Sequence, residues 1–180
     1  MPSEVFLELS VGGKCLGRVY INLWTNQRWA QQFLTLCMGT LGPSYRGAMS
    51  SEVHNQGEPG ENMVFPHHVE SGRANEQAIF SNVELGEDHP EELVEGHLGA
   101  PETQHQLQTY CHSISYNYQT LDNCQTSGFV IYTIGSPREF SFIPFGKVFS
   151  GLDVVKAAVR HTPNSITISN CGLVLPNSLI

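Results

Sequence analysis

The chain has 180 residues, 40% of them hydrophobic and 14% charged, which suits one globular domain with a real core and excludes a disordered chain. Its net charge of -8 is unevenly spread: residues 52–102 hold twelve acidic side chains against one basic one, Arg73, while the remainder is near +3. Such a segment repels phosphate backbones, which argues against direct nucleic-acid binding, and it attracts basic protein surfaces. No apolar run approaches the roughly 18–20 residues that span a bilayer. The five cysteines are scattered without a Cys-x-x-Cys pair, and the amino terminus lacks a basic, apolar leader. Both features lead us to expect an intracellular chain, cytoplasmic or nuclear.

Residues 5–9 and 19–23 alternate apolar with polar, and Gly12-Gly13 between them marks a turn, so the chain opens as a β-hairpin. Thr25 or Asn26 can cap a helix that brings Trp29, Phe33, Leu36 and Cys37 to one face, widened by Ala30 and Leu34, before Gly39 stops it. From Ser50 to about Thr109 the periodicity weakens; 79–83 and 93–94 are the best strand fragments, with a turn at 57–60 and a short turn or loop at 89–92. Order returns with 113–116 and a buried strand over 129–134, then a further strand over 145–149. Gly151-Leu152 leads into a short helix over 153–161, whose inner face carries Leu152, Val155 and Val159 and whose start is favoured by Asp153. Residues 166–169 alternate again, and 172–175 finish the domain. With no repeat and no linker, we expect a single domain over 1–180 with a divergent acidic segment at about 50–110. Two helices among many short strands predict a mostly β fold, a barrel closed at its ends by the helices.

Several segments, in their order, carry more. They are Val5-Phe6-Leu7-Glu8-Leu9-Ser10, Gly17-Arg18-Val19-Tyr20-Ile21-Asn22-Leu23, Phe33-Leu34-Thr35-Leu36-Cys37-Met38-Gly39-Thr40, Tyr45-Arg46-Gly47, Gly128-Phe129-Val130-Ile131, Phe145-Gly146-Lys147-Val148-Phe149, Gly151-Leu152-Asp153-Val154-Val155, and the stretch from Ile166 to Gly172. Together they resemble the cyclophilins, a family of peptidyl-prolyl cis-trans isomerases, over about 110 of the 180 residues. The resemblance implies an eight-stranded antiparallel β-barrel closed by two short α-helices.

It also implies where an active site would lie. In that family the Tyr-Lys-Gly turn leads into Phe-His-Arg, whose arginine polarises the substrate amide; the same count here reaches Ser50, Ser51 and Glu52. The family's Ile-Pro-Gly-Phe-Met-x-Gln-Gly-Gly is replaced, without gaps, by the stretch from Val53 to Glu61. Its Ser-Gln-Phe-Phe-Ile becomes Ser127-Gly128-Phe129-Val130-Ile131, so Gly128 and Val130 replace a glutamine and a pocket phenylalanine. The family's tryptophan would fall near Glu139 or Phe140, and its pocket histidine near Phe142 or Ile143. Prolyl isomerisation needs no covalent step. It needs an apolar hollow for the proline and a fixed cation or donor for the twisted amide, against a barrier of about 18–20 kcal/mol. A carboxylate at position 52 would repel the carbonyl oxygen it should stabilise, and no Arg or Lys between Gly47 and Gly72 can replace the missing cation.

The expectation is a catalytically inactive cyclophilin-like domain acting as a protein-protein interaction module. Its partner would be a basic surface or a peptide, met by Glu52, Glu58, Glu61, Tyr116 and Tyr118. The alternatives are a divergent isomerase with residual turnover and a structural domain of a larger assembly. Eight histidines invite a metal site, but adjacent His67 and His68 would point to opposite sides of an extended segment, so no metal and no cofactor is expected. Ser50, Ser51 and His54 lack the Gly-x-Ser-x-Gly elbow of a hydrolase.

Overall fold

A computed structural model describes residues 3–25, 27–80, 93–101, 126–136, 142–161 and 166–175. The expected hairpin is β1 (Ser3–Val11) and β2 (Lys14–Leu23). Val5, Leu7 and Leu9 of the first strand and Val19, Ile21 and Leu23 of the second all turn inward, as the alternation requires. The helix α1 (Arg28–Met38) then packs Trp29, Phe33, Leu36 and Cys37 onto the sheet. Gly39 ends it in the left-handed conformation at φ 67°, its amide donating to Thr35 O at 2.9 Å. Thr25 does not cap this helix: Gln27 holds the cap position without a side-chain bond, and Thr25 O instead receives Gln31 Nε2 at 3.0 Å. Asn26, the other expected cap, lies outside the described residues.

The acidic stretch, where periodicity is weak, contains five short strands: β3 (Glu52–His54), β4 (Asn62–Phe65), β5 (His68–Glu70), β6 (Arg73–Asn75) and β7 (His97–Pro101). Their lengths explain why sequence missed them. All four residues of β4 are buried, so neither face supplies an alternating signal. The expected strand at 79–83 does not form over its described part; Ile79 and Phe80 lie in a bend, with the Ile79 amide held by Gln32 Oε1 at 2.9 Å. Leu93 contributes only a single bridge, to Ser136. The strand expected at 113–116 lies outside the described residues.

The later elements are β8 (Phe129–Tyr132), β9 (Phe142–Ser150), α2 (Leu152–Ala158) and β10 (Ile166–Leu173). The second helix is shorter than the expected 153–161, because Arg160 and His161 donate three residues back, to Ala157 O and Ala158 O, and tighten the chain out of α geometry.

Eight of the strands form one antiparallel sheet in the order β10-β1-β2-β9-β7-β8-β4-β3, and β5 pairs only with β6. The sheet curls until its two edges meet. Gly47 N donates to Ile168 O at 2.7 Å, Ile168 N to Ala48 O at 2.8 Å, and Ser50 N to Ile166 O at 2.9 Å, all on edge strand β10. The next residue, Ser51, donates to Val64 O at 3.0 Å on β4. The fold is therefore mostly β and barrel-like, with two helices among the described residues. An aromatic cluster fills it: the Phe33 ring lies 4.8 Å from Phe129 and 4.9 Å from Tyr45, Phe65 stacks on Phe129 at 5.2 Å, and Trp29 lies 4.9 Å from Phe145. No helix among the described residues is long and apolar enough to cross a membrane.

Candidate interaction site

Pairing registers bring two of the expected site residues, Glu52 and Val130, onto one face. Glu52 of β3 stands opposite Val64 of β4, and Val64 opposite Val130 of β8. A second row runs His54, Asn62, Tyr132. Members of the two rows are two residues apart along each strand, so both rows occupy the same side of the sheet. The intervening residues Met63, Phe65, Phe129 and Ile131 point the other way, into the main core. The face carrying Glu52 is thus the outer one.

That outer face is closed over its apolar part. Val64 and Val130 are both 0% exposed, yet neither belongs to the main core cluster. Tyr132 is buried beside them, and desolvation pushes its phenol well above the ordinary value of 10. At the strand edge the row is wet and charged. Glu52 is partly exposed, and its carboxylate meets His54 Nε2 at 2.9 Å. No Arg or Lys stands in either row. Arg46 is directed elsewhere, its guanidinium donating to Asn170 Oδ1 of β10 at 2.6 Å, and Arg73 belongs to the separate β5–β6 ribbon.

Ser50 and Ser51 lie where the chain passes from β10 to β4, so their backbone amides serve the closure of the sheet. Gly128 just precedes β8, its amide held by Thr126 Oγ1 at 2.9 Å. Phe142 begins β9. Phe140, Tyr116 and Tyr118 lie outside the described residues.

The acidic candidates separate. Glu58 is exposed in the turn between β3 and β4. Glu61, expected beside it as a partner contact, turns inward instead and is 7% exposed. Its carboxylate accepts from Gly57 N at 2.7 Å and from the Thr133 hydroxyl, donors that a carboxylate withdrawn from water requires.

The adjacent histidines do part company: His67 is half-buried and His68 fully buried, with His68 Nδ1 2.5 Å from Ser127 Oγ. Burial lowers the pKa of both below 6.5. Ser127 is itself 0% exposed, so this Ser-His pair is a core hydrogen bond and offers nothing to a substrate. Among the described residues no three His, Cys, Asp or Glu side chains gather as a metal site would require.

Sequence reasoning missed a groove of about 850 Å³ at one end of the sheet, between α2 and the crossing of 93–95 with 134–136. Its one linear signal is Lys156 and Arg160, four apart near the end of α2. No family model matches the chain.

Proposed function

We propose that this chain is a catalytically inactive, cyclophilin-like domain that works as a protein-interaction module. The observation carrying this reading is the row Glu52, Val64, Val130: a carboxylate paired with His54 at its edge, then two fully buried valines. An isomerase of that family needs a cation and a proline-sized hollow at these positions. Losing one well-placed electrostatic donor already slows such a reaction on the order of hundreds-fold. Here the donor is exchanged for its opposite charge, and the apolar part of the face is closed. The eight-stranded antiparallel sheet and the two helices among the described residues support the cyclophilin-like part of the reading.

The binding part draws on charge. Glu52 and Glu58 keep accessible carboxylates in a stretch with twelve acidic residues and one basic one, which favours a basic partner. A protease-coupled assay on a prolyl peptide is expected to show no turnover above background at micromolar protein. Clear turnover would favour a divergent, active isomerase instead. The double variant Glu52→Lys and Glu58→Lys should bind a lysine-rich probe peptide roughly tenfold more weakly while unfolding at the same temperature. Unchanged binding removes that surface and leaves a structural role in a larger assembly.

A further inference from the structure

The last turn of α1 and the far end of edge strand β10 bring two free cysteines to one place. Cys37 is 1% exposed and belongs to the main core. Cys171 stands opposite inward-facing Leu7 of β1, so it lies on the side of the sheet that α1 covers, partly buried against the same core. Both cysteines line a cavity of about 430 Å³, walled also by Ser44, Val69 and the turn between β5 and β6. Arg46, Ser71 and Gly72 line it too and are exposed, so the cavity reaches solvent. A close-packed interior would fix both sulfurs and exclude reagents; this space lets the sulfurs move and a small molecule enter. No Cys-x-x-Cys spacing announces the pair, because folding alone unites residues so far apart in the chain.

The two thiols are not equivalent. Cys171 Sγ lies 3.6 Å from Ser44 Oγ, and Arg46, two residues further on, lines the same cavity. Burial raises the pKa of both thiols. At Cys171 the Ser44 hydroxyl, the Arg46 charge and the backbone amides of Arg46 and Tyr45 oppose that rise. At Cys37 the charge of Cys171 adds to it, so each sulfur is within electrostatic reach of the other. Cys171 therefore forms its thiolate first, and it is also the more accessible of the two.

We propose that Cys37 and Cys171 are a redox pair that closes to a disulfide by exchange with a small-molecule disulfide such as oxidised glutathione. The Cys171 thiolate attacks one sulfur of the reagent; its S–S bond breaks, and the departing glutathione thiolate takes up the proton that Cys171 lost. The Cys37 thiolate then attacks Cys171 Sγ and expels the second glutathione, which takes up the proton from Cys37. The protein gives up two electrons and two protons, and one reagent disulfide becomes two thiols. The new bond ties α1 to β10 beside the seam at 47–50 and closes most of the chain into one loop, so it stabilises the fold. The pair is separate from the Glu52 row and does not rest on the isomerase-like reading.

The test uses the full chain with Cys15, Cys111 and Cys124 replaced by serine. The reduced protein is exchanged against oxidised glutathione at mildly alkaline pH, quenched with acid and mapped by mass spectrometry. The expected product is lighter by two hydrogens, carries no glutathione and yields a cross-linked peptide joining Cys37 to Cys171. Cys37→Ala should stop with one glutathione on Cys171, whereas Cys171→Ala should leave Cys37 unreacted over the same interval. Cys171→Ser, which keeps a polar atom beside Ser44, should behave as Cys171→Ala does. The oxidised chain should unfold roughly 5 °C higher than the reduced one and return on reduction. Glutathione retained on Cys171 with Cys37 still reduced would overturn the pair and leave a single modification site. Reaction only in denaturant, or an oxidised chain that unfolds no higher, would show that the bond forms against the fold and would overturn it too.

Discussion

His97 shows how one buried residue couples this fold to pH. Its ring is 3% exposed, meets the edge of Trp24 at 5.5 Å, and accepts from Val94 N through Nδ1 at 3.1 Å. Burial first, and Lys147 second, lower its pKa from 6.5 to about 4. In the unfolded chain it takes a proton near pH 6.5, whereas in the fold it stays neutral until about pH 4. Between those values the unfolded state binds more protons, so stability is full above the upper value and falls as the solution is acidified toward the lower one. The contribution of His97 is about 3 kcal/mol. Fully buried His68 acts in the same direction. Urea midpoints measured at pH 7.5 and 4.5 should therefore differ, and His97→Gln should flatten the dependence in part. An unaltered slope in that variant would mean that His97 does not stay neutral in the fold. None of this was legible in the sequence, because the linear chain does not say which of eight histidines loses its water.

At the scale of elements, the join between β9 and α2 depends on a missing side chain. Gly151 adopts φ 89°, and a Cβ built there would lie 2.2 Å from Arg18 O on β2, a backbone atom that cannot swing aside. Gly151→Ala should cost roughly 2–4 kcal/mol in chemical denaturation, through both the left-handed backbone and the collision. A cost below about 1 kcal/mol would show that β2 and the start of α2 can separate without loss. The elements that sequence identified share a property: β1, β2, α1 and β10 each present one buried and one exposed face, so their periods of two or 3.6 are written in polarity. Strands β3 to β7 are three to five residues long, or buried on both sides, and carry no such pattern. Of the strand expected at 79–83, the described residues Ile79 and Phe80 lie in a bend, with the Ile79 amide held by Gln32 of α1.

For the whole molecule the deciding feature is that the two edges of one sheet meet through 47–50. Replacing Ser50 by proline removes the amide that donates to Ile166 O at 2.9 Å and so opens the seam. We expect a loss of about 3 kcal/mol with broadened unfolding, read by tryptophan fluorescence against urea. A loss under about 1 kcal/mol would show the closure to be incidental. The sequence alone determined the mostly β class, the opening hairpin, the two short helices and the sign of the charge at position 52, because each of these resides in local polarity or in the identity of one residue. Only the tertiary structure decided that Glu52 shares an outer face with buried Val64 and Val130, that Glu61 turns inward, and that Arg160 overlooks a groove. These are relations between strands and turns far apart in the chain, set by register and burial, and no local pattern encodes them.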